Sequence, residues 1–246
     1  VFSSVGLKGF PCPEDEDYIL AFMNSKVMQY LIRVISPTLS IISGDLEKIP
    51  CVISSSVKEE ISQKSKRMKE IATFDWGMLE TSWDFKKLSL VALGDNKIRS
   101  SYDEYYSFCE SVVKEAALIE SEINERFVKE YGMEKEIDPV IDANDITLHA
   151  NTVYKFNESA DGTSIQHKFV STCICELLSY SIGCIMGRYS LDRQGLVYAH
   201  TGSIGFDKLV AEGAYSIFPA DEDGIIPLTD QEWFKDDATN RFREFV

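Results

Sequence analysis

The feature that most constrains the fold of this 246-residue chain is a helical repeat of apolar side chains between residues 102 and 131. The apolar positions recur at steps of three, four and seven residues: Tyr105, Phe108, Val112, Ile119, Ile123 and Phe127. This spacing places them in one stripe along a helix. Ser101 and Glu104 match a capping box, and Gly132 suits the position after the last turn. Because a helix of about thirty residues is roughly 45 Å long, we expect it either to span the domain or to pair with a second long helix.

Two further helices are predicted before this one. Residues 14–35 begin with an acidic turn, which suits the positive end of a helix dipole, and Pro37 prevents the helix from continuing. Residues 56–71 form a polar, basic helix. The following residues, 73–93, are rich in aromatic side chains and are interpreted as an irregular loop packed on the body of the protein.

Two more helices are predicted after it. Residues 164–187 are apolar on nearly all sides, and a last helix starts at Thr229, where Glu232 completes a second capping box. Short extended pieces are expected at residues 39–42 and 46–52, and a hairpin at 188–198. The predicted fold class is mainly α, an α+β fold with minor β. It is a bundle of long helices with short extended segments and a small hairpin.

The apolar helix at residues 164–187 raises the question of a membrane span, because residues 169–187 are long enough to cross a bilayer. Glu176 lies at its centre and several serines dilute it, so a buried core helix is the favoured interpretation and a membrane span the alternative. Gly183 and Gly187 have the G-x-x-x-G spacing that predicts close packing between helices.

Composition excludes several classes of protein. Hydrophobic residues make up 44% of the chain, too many for a disordered protein. The net charge of −15 argues against non-specific nucleic-acid binding by the whole surface. The six cysteines form no C-x-x-C pair and lie far from the histidines, so reduced cysteines in a cytosolic protein are expected rather than a zinc site.

Motifs that carry catalysis are absent from the sequence. No phosphate-binding P-loop, no G-x-S-x-G elbow, no H-E-x-x-H pair and no strand followed by G-x-G-x-x-G occurs. The three histidines are isolated from one another: His149, His167 and His200. We therefore expect no catalytic, cofactor-binding or metal-binding residue in this chain.

A local group of basic residues is the strongest candidate for a binding surface. Its members are Lys64, Lys66, Arg67 and Lys69 on the basic helix, followed by Lys86 and Lys87. Such a group can contact DNA phosphates. The alternative is a solvated helix face that nearby glutamates balance: Glu59, Glu60 and Glu70. The nearby aromatic residues Trp76, Trp83 and Phe85 either pack in the core or stack on an extruded base.

The N-terminal part carries a recognisable sequence motif, a discontinuous run of residues that we call a phrase. It runs through residues 19–27 with Asn24-Ser25, through Ser-Pro-Thr-Leu at 36–39, and through residues 44–50 with Gly44-Asp45. This phrase resembles the tail of the target-recognition domains in type I specificity subunits and TaqI-like adenine methyltransferases.

Two later phrases are more specific. Residues 75–85, Asp-Trp-Gly-Met-Leu-Glu-Thr-Ser-Trp-Asp-Phe, contain Trp76, Glu80, Trp83, Asp84 and Phe85, and residues 187–191 begin with Gly187, Arg188 and Tyr189. Both resemble the PglX-type adenine-specific DNA methyltransferases of BREX phage-defence systems. The resemblance covers nearly the whole chain, although Gly77-Met78 stands where Asp-Ser is usual in the family.

The resemblance implies a large parent protein that methylates N6 of adenine with S-adenosylmethionine. The catalytic Asn/Asp-Pro-Pro-Tyr motif and the cofactor-binding glycine motif of the family do not occur here, so no cofactor is expected in this segment. The chain also begins with Val1 rather than methionine, and we expect it to be a fragment. Residues 1–53 would form the tail of a target-recognition-like domain, and residues 54–246 a helical post-catalytic domain packed with it.

Two functions remain open at this point. In the first, the segment contributes to DNA recognition or positioning through its six basic residues, with double-stranded DNA as partner of the parent protein. In the second, it is a scaffold that docks other BREX subunits without touching DNA. A stand-alone enzyme is a third reading, for which no catalytic signature exists. The expected location is the bacterial cytoplasm, with no membrane partner.

Overall fold

A computed structural model describes residues 9–36, 41–93, 97–156, 164–231 and 233–246. Within these ranges the chain is helical and forms no strand, which confirms the mainly α fold class. The extended piece expected at 46–52 and the hairpin at 188–198 do not form strands. The loop at 188–198 is instead closed by a hydrogen bond from Val197 N to Arg188 O (2.9 Å). Some sequence-based expectations concern positions outside the described residues, namely residues 1–8, Pro37, Leu39 and Glu232.

The described helices follow one another along the chain, preceded by a short 3₁₀ turn at Pro13–Asp15 and with a second 3₁₀ turn between α6 and α7. They are α1 (Glu16–Asn24), α2 (Lys26–Ile35), α3 (Ser43–Leu46), α4 (Lys58–Gly77), α5 (Ser89–Ala92), α6 (Ile98–Glu130), α7 (Thr152–Phe156), α8 (Ile165–Ile185), α9 (Phe206–Ala211) and α10 (Ala238–Phe245).

The chain forms two compact units, and each is built from two stretches of sequence. Unit 1 comprises Val1–Thr73 and Ser111–Leu148, and unit 2 comprises Phe74–Glu110 and His149–Val246. The boundaries between the units therefore fall inside α4 and α6. The division into functional domains at residue 53, which rests on the family resemblance, stays a prediction.

In unit 1 a break at Ser25 separates α1 from α2, where a single helix was predicted. Ser25 has an extended backbone, and its hydroxyl accepts a hydrogen bond from the Met28 N–H (3.1 Å). This N-cap ends α1 and starts α2 as a separate helix. The core beside the break is aromatic, because the ring centroid of Phe127 lies 5.3 Å from that of Tyr18 and 5.5 Å from that of Phe22.

In unit 2 the apolar helix α8 supplies much of the core, with Phe169, Tyr180, Cys184 and Ile185 buried. It is the one described helix that is long and apolar enough to cross a membrane, and 44% of its most apolar window is buried within the protein. Ser164 caps α8 through a hydrogen bond from the His167 N–H to the Ser164 hydroxyl (3.2 Å), as its predicted start requires.

The predicted ends of three helices are corrected by the structure. Helix α4 continues to Gly77, so the start of the predicted aromatic loop is helical. Helix α6 begins at Ile98, one turn before the predicted capping box at Ser101 and Glu104, but it ends as predicted, with Gly132 at a φ of 65°. The last helix begins at Ala238 rather than Thr229, because Asp237 is its N-cap and accepts the Thr239 N–H.

Candidate nucleic-acid interface

The basic residues of α4 are engaged by acidic residues of unit 1. The Arg67 guanidinium makes a bidentate ion pair with Glu115, with Nε–Oε1 and Nη2–Oε2 distances of 2.7 and 3.1 Å. Lys64 Nζ lies 2.5 Å from Glu122 Oε2. These carboxylates belong to α6, so the ion pairs tie two helices of unit 1 together.

The other two predicted DNA-contacting cations of α4, Lys66 and Lys69, are held by a carboxylate of α1. Lys69 Nζ is 2.5 Å and Lys66 Nζ 3.8 Å from the carboxylate of Asp17. The hydrogen bond to Asp17 raises the pKa of Lys69, and the bond from Arg67 holds the pKa of Glu115 below its usual range. All four predicted DNA-contacting cations of α4 therefore already have anionic partners.

The three aromatic residues of the predicted aromatic segment have different environments. Phe85 is buried, as expected for a core residue. Trp76 is 56% exposed at the end of α4, and Trp83 is fully exposed on the turn that follows. Core packing therefore explains Phe85 but neither tryptophan.

The two family phrases of unit 2 meet in space. The ring of Phe85 lies 5.3 Å from that of Tyr189, and both contact Tyr180 of α8. The Ser179 hydroxyl donates to the Glu80 carboxylate (2.7 Å), which fixes the first phrase against α8 a second time. Residues 75–85 and 187–191 are therefore joined by one buried contact between Phe85 and Tyr189, which the spacing of residues in the sequence does not predict.

Gly183 and Gly187 shape the second phrase. A Cβ on Gly183 would lie 2.5 Å from Cδ2 of Tyr189, so the close approach is between a helix and an aromatic ring. The prediction of helix–helix packing at this G-x-x-x-G pair is therefore wrong for Gly183. Gly187 has a φ of 71° and lets the Arg188 N–H return to Gly183 O (2.8 Å), which ends α8.

Three cations, Lys86, Lys87 and Arg188, flank this contact in sequence. Lys86 and Arg188 are exposed and Lys87 is half-buried, and none of the three forms an ion pair with a residue in the described part of the chain. The Arg188 guanidinium lies 5.2 Å from the ring centroid of Tyr189. The Lys86 carbonyl accepts the Gly195 N–H (2.7 Å), so this backbone is fixed. Sequence reasoning missed Arg188 as a candidate contact, although the residue stands within the more specific phrase.

Asp75, the first residue of the phrase, is a buried anchor of unit 2. Its carboxylate accepts the backbone N–H groups of His149 and Ala150 at 2.7 and 2.8 Å. Asp84, by contrast, is exposed. Asp75 therefore positions the segment that leads into α7, and its role is structural.

The residues of the N-terminal phrase stabilise local turns in unit 1. The Asn24 amide donates to Leu20 O (2.9 Å), and Ser25 caps α2. Asp45 lies in the short helix α3 beside Gly44 and is 3.3 Å from Lys48 Nζ. The pKa of Asp45 is lowered, and the largest cause is a hydrogen bond with the Ser36 side chain. These contacts give the phrase a folding role and leave its relation to target recognition a prediction.

The acidic, cysteine and histidine side chains of the described residues do not assemble into a metal site. The described residues contain no group of three His, Cys, Asp or Glu side chains that could hold a metal ion. His149 Nε2 lies 2.9 Å from Lys155 Nζ, and each of these two atoms lies 3.7 Å from Glu176 Oε1. The three side chains form a half-buried charge cluster in unit 2.

Comparison with known proteins identifies relatives over most of the chain. The chain is 44% identical over 228 residues to the adenine-specific methyltransferase BrxX of Escherichia coli O9:H4 (strain HS). It is 25% identical over 236 residues to the adenine-specific methyltransferase PglX of Lacticaseibacillus casei (strain Zhang). The chain is homologous to one segment of these methyltransferases. Each alignment covers 93% of the chain, but the chain spans only 18% of the length of either relative. No protein-family model matches it.

Proposed function

We propose that the chain is a non-catalytic segment of a BREX-type, S-adenosylmethionine-dependent N6-adenine DNA methyltransferase, and that it helps to position the DNA. The names of BrxX and PglX support the parent activity. The cofactor and the catalytic motif would belong to the rest of the parent, since this chain carries neither motif. The proposed location is the bacterial cytoplasm, where the parent would meet double-stranded DNA.

One observation carries the positioning role: the contact between the two family phrases leaves Lys86, Lys87 and Arg188 without carboxylate partners in the described structure. Cations of this kind can neutralise phosphates without first breaking an ion pair. The fully exposed Trp83 lies three residues before Lys86 and offers an aromatic face to an unstacked base. An adenine methyltransferase requires such support, because its target base must leave the stack.

The α4 cations are weaker candidates for the same role. A phosphate that reached Lys64, Lys66, Arg67 or Lys69 would have to displace Glu122, Glu115 or Asp17. Each displacement would offset the gain from the phosphate contact. We therefore propose DNA contact by Lys86 and Lys87 first, and by Arg188 in addition.

The proposal is tested by measuring the binding of this chain to a labelled DNA duplex by fluorescence anisotropy, at low and moderate salt. We expect binding that falls with salt, and Lys86→Glu/Lys87→Glu should weaken it and reduce the slope of log K against log salt by about two. The control is Lys135→Glu/Lys235→Glu, which changes the net charge equally at two exposed lysines. Equal effects of the two double variants, or no binding of the unaltered chain at any salt, would contradict the proposal.

Trp83 provides a second readout of the same proposal. All three tryptophans of the chain are exposed, namely Trp76, Trp83 and Trp233. Duplex containing a flipped or unpaired adenine should quench the fluorescence of the chain, and Trp83→Phe should remove more of this quenching than Trp233→Phe.

The second candidate function is a scaffold that docks other BREX subunits. The net charge of −15 and the neutralised cations of α4 favour it, because both disfavour contact with DNA. Co-expression of the chain with the individual subunits, followed by affinity capture, tests it. Capture of a defined subunit without DNA binding would replace the positioning role by the scaffold role.

A further inference from the structure

An uncharged apolar face lies along the outer side of α8. Its large residues are Ile174, Leu178, Ile182 and Met186, which follow one another at four-residue steps and are 39–51% exposed. Residues at this spacing form one ridge on a helix. We call these four side chains the α8 ridge.

A row of small side chains runs beside the α8 ridge. Its members are exposed and follow the same four-residue spacing: Ser171, Cys175 and Ser179. Each of them lies three positions before a residue of the α8 ridge. Neither row contains a charged residue, and Glu176 faces Lys155 and His149. The Glu80 carboxylate accepts the Ser179 hydroxyl at the last position of the small-residue row. A ridge of large residues next to a groove of small ones is the surface against which another helix packs.

The exposure of the α8 ridge is a surface feature that isolated soluble domains avoid. Single exposed aliphatic residues are common, but a contiguous row of four marks an interface. Helix α8 is also apolar enough to resemble a membrane span, yet less than half of its most apolar window is buried. The described residues of the chain leave this face uncovered.

We infer that the α8 ridge packs against an α-helix with an apolar stripe from the remaining part of the same polypeptide. This inference rests on the proposed function, because it requires a longer parent. The relatives are more than five times as long as the aligned segment, so they hold abundant chain to supply such a helix. A second copy is a poorer occupant, since two chains of charge −15 repel each other. DNA is also a poor occupant, because the face has no cation.

Alkylation of Cys175 tests the inference, since this thiol is exposed in the small-residue row. The rate of maleimide labelling is followed by peptide mass spectrometry in the isolated chain and in the full-length parent. Cys184, which is buried, and denatured protein give the slow and fast references. We expect labelling of Cys175 to be at least about tenfold slower in the parent, because an interface thiol reacts only from open forms. Equal rates would overturn the inference.

Substitution of the ridge gives an independent measurement. Leu178→Glu and Ile182→Glu should leave the isolated chain folded by circular dichroism, but in the parent they should restore fast labelling of Cys175. Val210→Glu is the matched control, because Val210 is 51% exposed on α9 and lies outside the ridge. Ridge substitutions that leave Cys175 protected in the parent would contradict the inference.

The outcomes also separate this inference from the proposed function. Light scattering that shows a dimer of the isolated chain, dissociated by Leu178→Glu, would assign the ridge to a second copy and overturn the inference. Protection of Cys175 in a parent whose affinity for DNA is unchanged by Lys86→Glu/Lys87→Glu would support the ridge contact and refute the positioning role.

Discussion

The ring of Tyr189 lies against the backbone of Gly183, so close that a Cβ at position 183 would be 2.5 Å from Tyr189 Cδ2. Both residues are buried in unit 2, and Tyr189 also packs on Phe85 and Tyr180. The ring is therefore held by both aromatic neighbours as well as by the backbone of Gly183. This contact links the end of α8 to the family phrase at residues 75–85.

Gly183→Ala is expected to destabilise the chain by about 1–3 kcal/mol, because the added methyl overpacks a buried site. Chemical denaturation measures the change in the free energy of unfolding. Gly77→Ala is the control, since a Cβ there meets its nearest atom at an ordinary 3.8 Å. A Gly183→Ala variant as stable as the unaltered chain would show that the Tyr189 ring moves freely.

Asp75→Asn is expected to cost about 1–3 kcal/mol of stability, since the amide can accept only one of the two N–H groups that the buried carboxylate accepts. Thermal and urea unfolding both measure this loss in the free energy of unfolding. Asp84→Asn, at an exposed position of the same phrase, should change stability by less than about 0.5 kcal/mol. If the two variants behave alike, Asp75 is not an anchor.

The ion pair between Arg67 and Glu115 is expected to contribute only a small coupling energy, because both side chains are partly exposed and solvent screens their charges. A double-mutant cycle with Arg67→Ala and Glu115→Ala measures this coupling. It should shrink as salt screens the charges. A coupling energy near zero at low salt would mean that the two helices do not depend on this pair.

The carboxylate of Asp237 gives a pH dependence at the acid end. A hydrogen bond from the Thr229 hydroxyl (2.7 Å), together with the Thr239 N–H (2.9 Å), lowers its pKa below the ordinary value of 3.8. Its contribution to stability is therefore complete above the ordinary pKa and is lost as the pH falls through the lowered one. Asp237→Asn should flatten the stability profile below about pH 4, measured by acid titration of the unfolding free energy. An unchanged profile would contradict this assignment.

The long helices of the fold could be predicted from the sequence because their apolar periodicity survives packing. Helix α6 and the N-cap of α8 at Ser164 were expected within a few residues. The helix starts predicted from two capping boxes were wrong, because the Ser/Thr-x-x-Glu spacing also occurs inside a helix and inside a loop. Thr229 does not cap a helix, and its hydroxyl instead donates to Asp237, the actual cap of α10.

The candidate site could be predicted only in part. The basic residues of α4 were identified, but their partners Glu115 and Glu122 lie more than forty residues away in sequence, and local charge patterns do not reveal such pairs. Ser25 broke a predicted helix without proline or glycine, because one hydroxyl can supply the cap. The meeting of Phe85 and Tyr189 depends on the tertiary fold alone.

The interleaving of the two units has a consequence for how the polypeptide is made. Unit 1 lacks its second stretch until Leu148 has been synthesised, and by then unit 2 has already received Phe74–Glu110 without the segment that completes it. A nascent chain therefore holds two unfinished cores at once, and contacts between distant residues form slowly. For the same reason a protease that cuts once between α4 and α6 releases no intact half.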